Sequence, residues 1–215
     1  MNNLNEVEQK VAESLLQIKA IKLQPKSPFT WASGWKSPIY CDNRITLSHP
    51  AIRTYIRQKL AKLIQEEFGS VEMISGVATA GIPQGVLVAQ ELGLPFTYVR
   101  SSAKDHGRQN LIEGEVVEGQ RVVVVEDLIS TGKSSLQAVH ALREAGCNVV
   151  GLVSIFTYGF DEAVKNFAEA KCAMLSLCNY DALIKVAVDN SYVLDSDVDF
   201  LQSWRKDPAN WAPAQ

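Results

Sequence analysis

Apolar and polar residues at the beginning of the chain follow the period of a helix. The apolar positions recur every three or four residues, at Leu4, Val7, Val11, Leu15 and Ile18. This spacing predicts an amphipathic helix over residues 4–20. The next segment, IKLQPKSPFTWASGWKSPIYCDNR, is rich in turn formers and aromatic residues. Such a composition predicts short strands and loops, outside any regular alternation of strand and helix.

A regular alternation begins near residue 48. Ser48 and Pro50 predict the start of a helix that runs to about Phe68, because serine caps helices and proline suits their first turn. Five apolar runs typical of buried strands follow: VEMISGV, PFTYVR, VVVVED, NVVGLVSIF and KCAMLSLC. Helical patterns lie among them, GIPQGVLVAQELG, KSSLQAVHALREAG and DEAVKNFAEA, before a helical tail. The alternation predicts an α/β fold, a central parallel sheet flanked by helices.

Length and charge narrow the class of protein. The chain has 215 residues, 47% of them hydrophobic, which suits a single domain with a substantial core. The net charge is −3 without a long run of like charges, which argues against binding nucleic acid through a broad basic face. The sequence MNNLNEVEQK lacks the layout of a signal peptide, and no apolar run is long enough to cross a bilayer. We therefore expect a cytoplasmic protein without a membrane or nucleic-acid partner.

Three segments fall at the carboxyl ends of predicted strands, where open α/β sheets bind their ligands. They are residues 76–81, 100–110 and 126–135. The second begins the long connection of residues 101–115, which carries no structural pattern, and such connections are often functional lids. Binding and catalytic residues are therefore expected in these segments.

The third segment combines two carboxylates with a phosphate-binding turn. In VVVVEDLISTGKSS, Gly132-Lys133-Ser134 matches the end of a triphosphate-binding loop, but the glycine that this motif requires five positions earlier is Asp127. What remains is a turn that opens a helix, whose free amides and positive dipole end suit one phosphate. Glu126 and Asp127 can accept hydrogen bonds from a vicinal diol and attract a divalent cation. The stretch therefore predicts a sugar-phosphate site, and the alternative is two solvated acids before a capped helix.

The same stretch resembles the signature of the type I phosphoribosyltransferases, an apolar strand, two acids and a T-G-x-[ST] loop. The resemblance implies that the chain has the type I phosphoribosyltransferase fold. It also implies that Glu126 and Asp127 hold the ribose hydroxyls of phosphoribosyl pyrophosphate. It also implies that the loop binds the 5′-phosphate of this substrate, through Leu128, Ile129, Ser130, Thr131, Gly132, Lys133 and Ser134. The segment SGVATAGIP fits the family's pyrophosphate loop, although a plain strand-to-helix connection explains it equally well.

A cationic segment resembles the catalytic loop of the orotate phosphoribosyltransferase family. In YVRSSAKDHGRQNLIEG the positive groups are Arg100, Lys104, His106 and Arg108. The K-x-H-G arrangement implies that Lys104 and His106 are catalytic and that Arg100 helps them to bind phosphoribosyl pyrophosphate. Mobile cations of this kind stabilise the charge that develops on a departing pyrophosphate. In that family the loop reaches into the neighbouring subunit, which implies a homodimer; the alternative is a solvated surface loop.

A third resemblance concerns recognition of the base. FTWASGWKSPIYCD is similar to the segment that forms a hood over orotate in the same family. It implies that Ser33, Gly34, Lys36 and Tyr40 contact orotate, together with the hydroxyl of Ser130. The implied hood comprises about residues 1–45 and the C-terminal tail, within a single domain of residues 1–215. The alternative is an exposed aromatic hairpin that covers the core.

The chain also departs from the family pattern in its cations. Ala32, Ala80 and Ser101 stand where some relatives have lysine or another cation, and Thr157-Tyr158-Gly159 replaces an arginine that meets orotate in some forms. Glu126 stands where many relatives have aspartate. These differences imply a branch with fewer cationic contacts to the base.

Taken together, the resemblance implies transfer of a phosphoribosyl group to orotate, with Mg²⁺ carried mainly by the substrate near Glu126 and Asp127. Two alternatives share the sugar-phosphate signature: a purine phosphoribosyltransferase, and a regulator that binds phosphoribosyl pyrophosphate and controls transcription or RNA. The hood and the K-x-H-G loop argue against the first. The retained loop and the absence of a basic face argue against the second.

Overall fold

The computed structural model describes residues 5–31, 33–102 and 111–211 of the chain. The helices are α1 (Glu6–Gln17), α2 (Pro50–Phe68), α3 (Gly81–Leu92), α4 (Lys133–Glu144), α5 (Asp161–Glu169), α6 (Tyr180–Asp189) and α7 (Val198–Lys206). The strands are β1 (Ile21–Leu23), β2 (Phe29–Thr30), β3 (Lys36–Ser37), β4 (Ile39–Cys41), β5 (Met73–Val77), β6 (Phe96–Val99), β7 (Ile112–Glu113), β8 (Arg121–Ile129), β9 (Asn148–Thr157) and β10 (Met174–Asn179). Short 3-10 helices span Asn43–Ser48 and Asp195–Asp197.

A six-stranded sheet forms the centre of the fold, in the order β10-β9-β8-β5-β6-β7. All neighbouring strands are parallel except β6 and β7, which pair antiparallel. The predicted α/β class, with a central parallel sheet flanked by helices, is confirmed; the antiparallel edge strand β7 is an addition that the sequence did not indicate. A strand of two residues inside the 101–115 connection is too short to leave a periodic signal in the sequence.

The sheet buries both of its faces, as its continuous apolar strands require. Successive side chains of a strand point to opposite faces, so β8 supplies both layers. Val123 and Val125 pack in the layer that contains α1, α2, α3 and α6, whereas Val122 and Val124 pack against α4 and α5. All four valines are fully buried. The strand that leads to the two carboxylates is therefore held rigidly from both sides.

Two helix boundaries differ from the sequence prediction. Helix α1 covers Glu6–Gln17, inside the predicted range 4–20, and begins with a capping box between Asn5 and Glu8. Helix α2 has Pro50 in its first turn as predicted, but its N-cap is His49, which makes no side-chain capping bond. Ser48 instead ends the preceding 3-10 helix, so its expected capping role is wrong.

The segment between α1 and α2 forms short antiparallel pairs, β1 with β4 and β2 with β3. The predicted short strands and loops are thus confirmed for its described residues. The segment packs beside the carboxyl ends of β8 and β9, where Trp31 lies 5.3 Å from Tyr158 between ring centroids. Among the described residues, no helix has the length and apolarity needed to cross a membrane.

Candidate active site

The two carboxylates lie near the carboxyl end of β8, one of the two central strands of the sheet. The strand continues two residues beyond the predicted end, because Leu128 and Ile129 pair with Phe156 and Thr157 of β9. Ile129 is fully buried, and its carbonyl accepts a hydrogen bond from the amide of Tyr158. The loop expected over residues 128–134 therefore begins only at Ser130, and the Ile129 side chain belongs to the core.

Glu126 is an acid enclosed by protein, with only 5% of its surface exposed. Its Oε1 accepts a bond from the amide of Asp127 at 3.0 Å, and its Oε2 accepts one from Ser135 Oγ at 3.3 Å. Burial raises the pKa of Glu126 well above its usual range, and the neighbouring charge of Asp127 raises it further. Burial also raises the pKa of Asp127, while the positive charge of Arg44 opposes that shift.

The close approach of α3 explains how Glu126 becomes buried. A Cβ atom at Gly81, the first residue of α3, would lie 2.5 Å from the carbonyl oxygen of Val125 and 3.4 Å from Glu126 Oε1. Only glycine permits this approach. On another side Asn43 Nδ2 donates to the carbonyl of Asp127 at 2.7 Å, which fixes the backbone of the second acid. The carboxylate pair is thus preorganised by packing and backbone contacts.

The turn after β8 opens helix α4 in the way the phosphate-binding prediction requires. Gly132 is the N-cap of α4, has a φ of 79° and provides no side-chain cap. The first N–H groups of a helix have no intrahelical acceptor, so they suit an anion. Asn166 of α5 donates to the carbonyl of Thr131 at 3.0 Å, and a Cβ at Gly132 would lie 2.6 Å from the ring of Phe167. Helix α5 therefore fixes the shape of the turn.

The side chains of this turn face different surroundings. Lys133 is exposed, and its ammonium lies 3.6 Å from Glu162 of α5. Ser134 is exposed, whereas Ser135 is buried against Glu126. The structure thus brings backbone amides and two hydroxyls, of Ser130 and Thr131, to the region where the sequence predicts phosphate binding.

A cavity of about 280 Å³ lies beside the turn. Its walls come from the N-terminal hairpins, the end of β8 and the end of β9, and comprise Thr30, Trp31, Tyr40, Cys41, Leu128, Ser130 and Tyr158. Aromatic walls with a few polar groups are typical of a pocket for a flat ring. Ser130 belongs to both the cavity wall and the turn of residues 130–134, which we call the phosphate turn after its predicted ligand. A ligand with a ring and a sugar phosphate can span the two.

The residues expected to contact the base divide into two groups. Tyr40 lines the cavity. Lys36 does not line it, but its Nζ donates a hydrogen bond at 2.7 Å to Oγ1 of Thr30, which does. Ser33 and Gly34 are exposed in the turn between β2 and β3 and do not line the cavity. Gly34 has a φ of 87°, which the tight turn requires.

The cationic segment is only partly within the described residues. Arg100 follows β6, and its guanidinium lies 3.5 Å from Glu113 of β7. Lys104, His106 and Arg108 lie outside the described residues. A phosphate that binds Arg100 would therefore compete with the Glu113 carboxylate.

Sequence reasoning missed four residues that shape the site: Trp31, Cys41, Asn43 and Tyr158. Trp31 stands inside the hood motif, and its Nε1 donates to the carbonyl of Ile39 at 3.0 Å. Tyr158 follows the end of β9, next to the β8 end that the sequence had already marked. The rule that ligands bind beyond strand ends could therefore have identified it. Nothing in the sequence links Asn43 to Asp127, 84 residues away.

The described side chains of the site offer few ligand atoms for a divalent cation. Within residues 5–31, 33–102 and 111–211, no group of three or more His, Cys, Asp or Glu side chains is placed to hold a metal. Glu126 and Asp127 form a pair, and Mg²⁺ commonly takes one or two carboxylates together with waters and substrate phosphate oxygens. The site therefore fits a cation that is shared with a phosphorylated substrate.

Comparisons with known proteins agree with this geometry. A family model of the phosphoribosyl transferase domain matches residues 45–189. An orotate phosphoribosyltransferase of Phocaeicola vulgatus is 58% identical over 205 residues, which cover 95% of this chain and 97% of the relative. The crystal structure of orotate phosphoribosyltransferase from Aeropyrum pernix has a TM-score of 0.74 and 26% identity, covering 86% of this chain and 99% of that one. The Mycobacterium tuberculosis enzyme in complex with phosphoribosyl pyrophosphate has a TM-score of 0.64 and 25% identity, covering 82% and 98%.

Proposed function

The chain belongs to the phosphoribosyltransferase family, and from this membership we infer that it transfers a phosphoribosyl group to orotate. The donor is phosphoribosyl pyrophosphate, and the products are orotidine 5′-monophosphate and pyrophosphate. The reaction is a step of de novo pyrimidine biosynthesis.

One geometric observation carries the assignment of the site. The carboxylate pair, the uncapped start of α4 and the aromatic cavity meet at one edge of the sheet, with Ser130 common to the turn and the cavity. A nucleotide product has the same three parts, a phosphate, a ribose and a base. The cavity would take the base, residues 130–134 the 5′-phosphate, and Glu126 with Asp127 the ribose hydroxyls.

The proposed reaction uses this placement. A ring nitrogen of orotate attacks C1 of the ribose, the bond from C1 to the pyrophosphate oxygen breaks, and pyrophosphate leaves with the bonding electrons. Asp127 and Glu126 orient the sugar through its hydroxyls, so that C1 faces the base cavity. Lys104 and His106 stabilise the charge that develops on the leaving group. Trp31 and Tyr158, whose rings contact each other, provide an aromatic surface against which the ring of orotate packs.

Three further features belong to the proposal. Mg²⁺ would lie near Glu126 and Asp127 and neutralise charge on the pyrophosphate when it is bound. Residues of about 1–45, together with the C-terminal tail, form a hood over the base within a single domain. The working form is a homodimer in which the loop with Lys104 and His106 completes the site of the neighbouring subunit.

The activity is tested by following orotate consumption through ultraviolet absorbance, with phosphoribosyl pyrophosphate and Mg²⁺ present. We expect consumption that depends on both additions. Hypoxanthine and adenine, assayed in the same way, serve as controls for a purine enzyme. Turnover of a purine without turnover of orotate would contradict the proposal, and binding of phosphoribosyl pyrophosphate without turnover of any base would favour a regulator.

A further inference from the structure

The C-terminal helix α7 lies directly behind the base cavity. Trp204 of this helix is fully buried, and its ring centroid lies 5.5 Å from that of Trp31 and 5.5 Å from that of Tyr158. Both of these residues line the cavity. Trp204 itself does not line it, so the indole supports the two walls from outside.

Two consecutive residues of α7 also bind the backbones of the two walls. Trp204 Nε1 donates to the carbonyl of Lys36 in β3 at 3.1 Å. Arg205 Nη1 donates to the carbonyl of Gly159 at 3.4 Å, one residue after Tyr158. One wall belongs to the N-terminal hairpin and the other to the end of β9. Helix α7 therefore joins two segments that are more than a hundred residues apart in sequence.

The hairpin depends on such support. Strands β2 and β3 have two residues each, and a two-stranded hairpin is marginal by itself even when it is longer. Within this hairpin Lys36 bonds to Thr30, which lines the cavity. A shift of the Lys36 backbone therefore moves part of the cavity wall. The phosphate turn is held separately, by Asn166 and Phe167 of α5.

We propose that Trp204 is a positioning residue for the base: it fixes the relative position of the two cavity walls and thereby the affinity for orotate, without touching orotate. This role rests on the proposed function and adds a specificity device to it. It also gives the C-terminal tail an indirect part in recognition of the base, through the cavity walls. Because the phosphate turn has its own support, the effect of Trp204 is confined to one substrate.

The test is steady-state kinetics of Trp204→Phe with each substrate varied in turn. Phenylalanine retains an aromatic ring but loses the donor to the Lys36 carbonyl, and loss of the partner of a partly buried carbonyl is costly. We expect the KM for orotate to rise about fivefold to tenfold, with the KM for phosphoribosyl pyrophosphate unchanged. A purely structural role would lower the amount of active enzyme and leave both KM values unaltered.

Trp211→Phe provides the matched control. Trp211 donates to Ser203 of the same helix and packs against Phe200 at 4.8 Å, on a side that does not line the cavity. Its replacement removes the same indole donor, and we expect wild-type KM values. Arg205→Gln is the second variant, because its partly exposed side chain makes misfolding less of a concern. We expect it to raise the KM for orotate about twofold.

The outcomes separate the inference from the proposed function. Equal KM values for orotate in wild type, Trp204→Phe and Arg205→Gln would overturn the positioning role, as would an equal rise for both substrates. An orotate-specific rise that Trp211→Phe does not share would support it. Absence of orotate turnover in the wild-type enzyme would instead overturn the proposed function, and the inference with it.

Discussion

Glu126 and Asp127 show, at the scale of single residues, how neighbouring acids acquire different environments. Alternation along β8 turns their side chains in different directions. Glu126 is buried with Ser135 as a partner, whereas Asp127 is only half-buried and feels the charge of Arg44. Burial raises the pKa of both groups, most strongly for Glu126. Ionisation of the pair therefore costs free energy until substrate hydroxyls or a cation stabilise the negative charges. The ligand-free protein is less stable as a consequence of having a site that binds such groups.

Glu126→Gln tests this cost through the pH dependence of stability. A raised folded-state pKa means that the folded protein binds more protons than the unfolded chain between the usual carboxyl pKa and the raised one. Stability of the wild type therefore falls as pH rises through that interval, and the loss is complete above it. Glutamine carries no such cost. We expect the variant to be at least about 1 kcal/mol more stable than wild type at about pH 8, with little difference below about pH 4.

The measurement is urea unfolding at several pH values, without Mg²⁺ or phosphoribosyl pyrophosphate. Glu169→Gln is the matched control, since Glu169 is exposed on α5. It should show no stabilisation that depends on pH. Equal stabilities of Glu126→Gln and wild type at the alkaline end would show that the buried acid carries no ionisation cost.

Lys104→Ala tests the role of the cationic loop. Loss of a positive charge that acts on the departing pyrophosphate should lower kcat about 10²–10³-fold. The free energy of unfolding should stay close to that of wild type, because the proposed role of Lys104 concerns the leaving group and not the folded state. Both quantities are measured on the same preparation, with Lys62→Ala on α2 as a control of equal charge change. Turnover at the wild-type level would remove Lys104 from the mechanism.

At the scale of elements, α5 serves the phosphate turn. Asn166 binds the carbonyl of Thr131, and the ring of Phe167 occupies the space that a side chain at Gly132 would need. The turn is thus shaped by a helix that follows it by about thirty residues. The motif in the sequence supplies glycine and hydroxyl groups, and the packing of α5 selects the conformation that presents the amides.

Gly132→Ala is expected to weaken the binding of phosphoribosyl pyrophosphate. The residue has a positive φ, and the new Cβ would lie 2.6 Å from Phe167, so the turn must move. We expect the KM for this substrate to rise about tenfold or more and stability to fall by about 1–3 kcal/mol. The KM for orotate serves as the internal comparison.

Gly93→Ala is the matched control for this substitution. Gly93 also has a positive φ, 67°, but a Cβ there would meet nothing within 4 Å. It should lose about 1–2 kcal/mol of stability with no change in either KM. Adding Phe167→Leu to Gly132→Ala should restore part of the affinity, and a double-mutant cycle measures that coupling. The absence of coupling would exclude the contact with Phe167 as the cause.

The whole molecule is organised around the carboxyl edge of the sheet. Strand β8 provides the acids, Tyr158 follows the end of β9, the N-terminal hairpins line the cavity, and α7 contacts both of these walls. Parallel strands place all their carboxyl ends at one edge, so contributions from distant segments converge there. In the proposed dimer the neighbouring subunit completes the edge with its cationic loop.

Subunit mixing tests the shared loop. Lys104→Ala and Asp127→Asn variants should each be nearly inactive alone. In a random mixture half of the dimers are mixed, and each mixed dimer contains one site with an intact acid and an intact loop. We expect recovery of about a quarter of the wild-type rate in mixed preparations that exchange subunits. Mixing two preparations of the same variant is the control. If subunit exchange is verified and the rate does not recover, the loop is not shared between subunits.

A feature could be predicted when the residues that form it lie close together in the sequence. The acids and the phosphate turn occupy nine consecutive residues, so their relation was visible in the sequence, as were the strands with continuous apolar runs. Strand β7 was missed because two residues show no period, and Ser48 was misassigned because the 3-10 helix before α2 shifts the cap to His49. Trp31, Cys41 and Tyr158 were missed because their proximity depends on how distant segments pack.

The sequence by itself determined the α/β class, the position of the acids near a strand end and the turn that opens a helix after them. These features follow from the spacing and type of neighbouring residues, which local sterics and burial translate directly into structure. Only the tertiary structure decided that Glu126 is enclosed, that α5 shapes the turn and that Trp204 supports both walls of the base cavity. Contacts of that kind join segments tens to more than a hundred residues apart, and their geometry depends on the packing of the whole core.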